Sequence, residues 1–180
     1  HCQTHITCAL KNMKGLLPNS EKRRFHAEGL HRPIAHLALG IHQDFILVDS
    51  ICGDLSFEDG GNPTQMDRLM AAVDPVLMDA YVCQLLGYEV EEVPYVSMAE
   101  ELYVGSADLV HAKIRELNAP IHPVGKADKD KVMKLAEIAQ EVESCSACYG
   151  YLLPALDMLD REGLLKDFPE KICIGQGYRG

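Results

Sequence analysis

Four groups of side chains in this chain are of types that do chemistry. The first is His1 and His5, then the Lys11-Asn12 pair, then Lys14 and Gly15. Histidines four residues apart share a face in a helix and also in a strand. Neutral imidazoles bind metals or move protons near pH 7. Lys11, Lys14 and the backbone amides around Gly15 could hold a carboxylate or phosphate, with Asn12 beside them. The ordinary alternative is a set of surface or hydrogen-bonded histidines. His26, His31, His36 and His42 add to the local density without forming one obvious site.

The second group is acidic. Asp49 ends the apolar run Phe45-Ile-Leu-Val48, and Asp54, Glu58 and Asp59 follow among Gly53, Gly60 and Gly61. Ligands of open α/β sheets bind beyond the carboxyl ends of strands, where Asp49 could take a proton, a hydroxyl or a metal. Gly60 and Gly61 would let backbone approach that ligand closely; the alternative is an acidic surface loop. The third is Asp74-Pro-Val-Leu-Met-Asp79. Asp74 reads as a helix cap, whereas Asp79 lies in a helix apolar nearly all round and is expected to be buried. A buried charge must be paired or coordinated, so Asp79 serves a site or hydrogen-bonds a neighbouring loop. The fourth is Cys145-Ser-Ala-Cys148, with Cys173 as a third thiol and Cys2 or Cys8 as a distant fourth. This spacing suits a divalent metal or iron–sulfur cluster, a redox pair, or structural thiols.

These residues need elements to position them. The run 45–48 has the pattern of a strand covered on both faces, and 53–64 reads as a loop. Residues 69–73 form a second short strand. Asp74-Pro75 starts a helix that stops at Gly87. Further helices are expected at 31–42, 97–103, 106–117, 129–143 and 152–162, the last with Pro154 in its first turn. Short strands are expected at 121–124 and 171–174, and 11–18 reads as a turn or loop. Alternating short apolar strands and longer helices argue an α/β fold, with a layered mixed or parallel sheet flanked by helices.

The chain has 180 residues, ordinary for one α/β domain over 1–180, and it begins and ends like a fragment of a longer chain. Lys and Arg number 17 against 27 Asp and Glu, a net charge of −10. That excludes bulk attraction to nucleic acid. The basic cluster Lys11, Lys14, Lys22, Arg23 and Arg24 is local: it holds a small anion or is a solvated patch. No apolar run approaches the ~18 residues of a membrane helix. Seven cysteines, an odd number, fit reduced thiols and a cytoplasmic location better than a disulfide framework.

The order of these pieces resembles the domain of unknown function 362 family. The carrying residues are His1, Ala9-Leu-Lys-Asn-Met-Lys-Gly15, His26, the Phe45-to-Asp49 strand and the Gly60-Gly61-Asn-Pro63 turn. Asp74-Pro-Val-Leu-Met-Asp-Ala80, Leu86-Gly87 and Ala99-to-Gly105 extend the resemblance to roughly residues 1–125. It implies an α/β domain, often accompanied by a ferredoxin-like iron–sulfur module, and no general reaction. The turn departs from the family pattern, since Thr64-Gln-Met follows Pro63 where another glycine is expected. No ferredoxin cysteine run is present. Three functional expectations stand. One is an enzyme acting on a small anion through His1, Lys11, Asn12, Asp49 and Asp79. The second is a metal or iron–sulfur redox protein built on Cys145 and Cys148, and the third a non-catalytic domain of a larger enzyme.

Overall fold

The computed structural model describes residues 1, 3–57, 62–118, 125–144, 146–166 and 171–178. Among the described residues, the fold mixes helices with two small sheets, so the α/β class holds. The chain opens with α1 (Ala9–Asn12) and a 3₁₀ turn at Met13–Leu16, then α2 (Asn19–Glu28) and α3 (His31–Gly40). The strands β1 (Ile46–Asp54) and β2 (Pro63–Ala72) pair antiparallel, from Ile46 opposite Ala72 to Asp54 opposite Pro63. The register shifts between Ser50 and Cys52. Then come α4 (Pro75–Leu86), α5 (Pro94–Glu101) and α6 (Lys129–Ile138). The strand β3 (Ala139–Glu141) pairs in parallel with β4 (Ile172–Ile174), and α7 (Ser146–Arg161) lies between them in sequence.

Two expectations about β1 are corrected. The strand is not covered on both faces: Ile46 and Ser50 are buried, whereas Leu47, Asp49 and Ile51 are exposed. It also does not end at Asp49. A hairpin returns the chain directly alongside, so β2 supplies partners as far as Asp54 and leaves Asp49 mid-strand on the outer face. The expected loop at 53–64 is therefore shorter. Asp54 organises it, accepting the N–H groups of Ser56 and Phe57 at 2.8 Å and of Asn62 at 3.0 Å.

α4 forms as its sequence dictates. Asp74 caps it by accepting from Val76 at 2.8 Å and Leu77 at 3.0 Å, and Pro75 takes the first helical position. Gly87, at φ 84°, ends it in the left-handed conformation that glycine adopts without strain. Its buried face joins Ile6 and Leu10 near α1, Ile34 and Ala35 of α3, and Tyr95, Val96 and Ala99 of α5 in the main core. Ile46 belongs to that core, and Val48, Met70 and Ala72 pack against it.

A second cluster gathers Phe57 from the hairpin loop with Leu135 of α6 and Tyr149, Leu153 and Leu156 of α7. Asp157 is buried beside it and pairs with Lys131 and with Arg161 at 2.6 Å. Two cations offset the desolvation of that carboxylate.

Three other elements differ from expectation. α6 stops at Ile138, because 139–141 pair with β4. α7 starts at Ser146, so Pro154 lies inside the helix and removes one helical hydrogen bond. No helix forms over 106–117. The amides that a helix start would present are taken by side chains: Ser106 by Asp74 (3.0 Å), Ala107 by Glu100 (2.7 Å), and Val110 and His111 by Asp108. The strand expected at 121–124 lies outside the described residues.

Candidate functional site

A groove of about 360 Å³ runs along the outer edge of β1. One wall is Phe45, Ile46, Leu47, Val48 and Asp49. Consecutive residues of a strand point to opposite faces, so a groove touching all five follows the backbone edge rather than either face. Thr7, Cys8, Ala9, Asn12 and Met13 form the opposite wall, around α1. Gln43, in the connection from α3, also lines the groove, and its amide nitrogen lies 3.5 Å from the Ala9 carbonyl oxygen. Among the described residues, no backbone hydrogen bond joins β1 to any element except β2.

The α1 wall is held from below. A four-residue helix is too short to persist alone, and the N-cap residue Cys8 offers no side-chain cap bond. Asp79, fully buried on α4, takes that role: its two carboxylate oxygens accept from Ala9 N at 2.7 Å and Leu10 N at 3.2 Å. Burial pushes the Asp79 carboxyl up to about 7, although the two backbone donors act in the opposite direction. Burial, reinforced by the charge of Asp79, raises the neighbouring thiols: Cys83 to about 12 and Cys8 further. The same causes hold the buried Tyr95 hydroxyl well above its ordinary range. Cys8 therefore lines the groove as a protonated, weakly nucleophilic thiol.

The other expected site residues are dispersed. His1 Nδ1 accepts from Gln3 N at 3.0 Å and Thr4 N at 3.2 Å, closing a turn. His5 packs its ring 5.3 Å from that of Tyr88, and His31 lies 5.9 Å from the Tyr95 ring. Burial lowers the pKa of both histidines. Lys11 and Lys14 are buried, and Lys14 Nζ lies 2.6 Å from His26 Nε2. Gly15 has open space around it, so no close approach there requires a glycine. Gly60, Gly61 and Cys145 lie outside the described residues. Cys148 is exposed on α7; Cys173 is exposed on β4, its sulfur 4.0 Å from Gln140 Oε1. Among the described residues, no three His, Cys, Asp or Glu side chains are grouped to hold a metal ion.

Of the residues expected to form one site, the groove thus brings together Asn12 and Asp49, with Asp79 beneath its wall. Gln43 and the open β1 edge were not foreseen. Gln43 follows the end of a helix without any motif, and an unpaired edge depends on which strands pair.

The sequence comparison covers the same region. Residues 1–84 match the family described as Domain of unknown function (DUF362). The DUF362 match takes in α1, both strands of the hairpin and Asp79, and hence every residue lining the groove. It stops short of the earlier resemblance over 85–125 and of Cys145, Cys148 and Cys173. No curated protein and no solved structure matches the chain. Among the described residues, no helix is long and apolar enough to cross a membrane.

Proposed function

We propose that this chain is a ligand-binding domain whose site is the groove at the β1 edge. The observation that carries this is one concave surface joining polar side chains, Thr7, Asn12, Gln43 and Asp49, to the apolar Met13, Phe45 and Leu47. A volume of about 360 Å³ falls within the range of small-molecule sites, which combine an apolar lining with a few polar groups. Among the described residues of the lining, the one charged side chain is the carboxylate of Asp49, so the ligand is neutral or cationic. That favours binding over an enzyme acting on a small anion, because His1, Lys11 and Asp79 do not line the groove. The high pKa of Cys8 also argues against nucleophilic thiol chemistry there.

The test is an amide NMR titration with a library of small neutral and cationic carboxamides. Binders are expected to shift Asn12, Gln43 and Asp49, and to weaken about tenfold in Asn12→Ala or Asp49→Asn, the loss of one hydrogen bond to a charged or amide group. Shifts confined to other surfaces would overturn the proposal.

A further inference from the structure

We infer that the ligand of this groove is an extended, basic polypeptide segment that adds to β1 as a third strand; this rests on the groove being the binding site. Four observations converge on it. The β1 edge makes no backbone bond to any element except β2 among the described residues, so its outward N–H and C=O groups are open to a partner. The groove follows that edge past five consecutive residues, Phe45 to Asp49, a length of about 13 Å at the rise of a strand. The hairpin has two strands and packs one face on the core through Ile46, Val48, Met70 and Ala72. Two strands are the marginal case, and a third strengthens a sheet. Finally, the charge in the described lining is acidic: Asp49 lines the groove, exposed Asp44, 3.4 Å from His42 Nε2, precedes it, and the chain carries a net −10.

The pattern of the added strand follows from the alternation of β1. Ile46 and Val48 turn toward the core side, and Cys8 and Ala9 of the facing wall are buried. Every second residue of the added strand therefore meets an apolar floor. The residues between them lie beside Leu47 and Asp49 on the outer face. A lysine or arginine opposite Asp49 forms a favourable cross-strand pair, and an acidic residue there is repelled. Backbone bonds supply affinity and the alternating side chains supply selectivity, as in other strand additions.

The probe is a fluorescein-labelled hexapeptide alternating lysine and valine, followed by anisotropy with the intact chain. Two controls accompany it: the same peptide with alternate backbone amides N-methylated, and its glutamate–valine counterpart. Both controls are expected to bind about tenfold or more weakly, because one loses backbone donors and the other meets Asp49. Asp49→Lys, at an exposed position, is expected to reverse the preference between the lysine and glutamate peptides. Equal binding of the N-methylated peptide would overturn strand addition. If it also weakened with Asn12→Ala, groove binding itself would stand. Absence of all peptide binding, with carboxamides still shifting Asn12 and Gln43, would likewise overturn the strand and leave the site. Equal binding of the glutamate peptide would overturn the basic partner. A dimer in sedimentation that the peptide dissociates would assign the edge to a second copy and overturn this occupant.

Discussion

Replacing Asp79 with asparagine tests the reasoning about the groove wall most directly. The side chain keeps its shape but offers one acceptor, where the carboxylate serves both Ala9 N and Leu10 N. The amide nitrogen then faces a backbone donor, a buried mismatch that costs about 1–3 kcal/mol. The second effect depends on pH. The folded-state pKa of Asp79 is raised from 3.8 to about 7, so its contribution to stability is greatest below 3.8 and is lost as pH rises through about 7. Between pH 6 and pH 8 the folded carboxyl passes from mostly protonated to mostly ionised, while the unfolded one is ionised throughout. Linkage makes that about 1.4 kcal/mol. His5 and His31, lowered by burial, act in the opposite direction in both proteins, so the comparison must be a difference. Urea denaturation of both proteins at pH 6, 7 and 8, followed by circular dichroism, provides it. Asp79→Asn is expected to be the less stable protein at pH 6, with its deficit about 1.4 kcal/mol smaller at pH 8. A deficit independent of pH, or one that grows with pH, would refute the assignment of a buried, proton-binding carboxyl.

Three further predictions concern other parts of the chain. Asp74→Ala removes the cap of α4 and the acceptor of Ser106 N and is expected to cost about 1–2 kcal/mol in urea denaturation. A Cβ at Gly105 would lie 2.1 Å from Asp74 Oδ1. Gly105→Ala is therefore destabilising by about 1–3 kcal/mol, and the double variant should lose less than the two single losses combined, since one change removes the other's clash. Thiol labelling mapped by mass spectrometry should modify exposed Cys52, Cys148 and Cys173 in the folded protein. Buried Cys8 and Cys83 should label about a hundredfold more slowly until denaturant is added, given their raised pKa values; equal rates would refute their burial.

Sequence and structure agree where the signal is local. Asp74-Pro75 and Gly87 delimit α4 because capping, the fixed φ of proline and the left-handed freedom of glycine act within one turn. The burial of Asp79 was legible because hydrophobic residues surround it on every side of its helix. What was not legible depends on distant partners. Whether 45–48 is covered on one face or two depends on where other layers lie, and Gln43 gains its place only when α1 packs beside β1. The helix expected at 106–117 fails because Asp74 and Glu100, from earlier in the chain, take the amides that a helix start would present. Asn12 and Asp49, residue types that do chemistry, both line one groove. His1 and Lys11, whose types are equally suggestive, are not among its lining residues.

The bond between Asp79 and Ala9 joins residues 70 apart, which has a kinetic consequence. Closing so long a loop takes entropy that no nearby contact returns at once, so such pairings are slow to form. α1, at four residues, gains no helical stability of its own before that closure. The groove wall is thus expected to assemble after α4 and to open when the Asp79 bonds to Ala9 and Leu10 break. Hydrogen exchange at the Ala9 and Leu10 amides reports that opening, and a bound occupant would slow exchange there while leaving the centre of α4 unchanged.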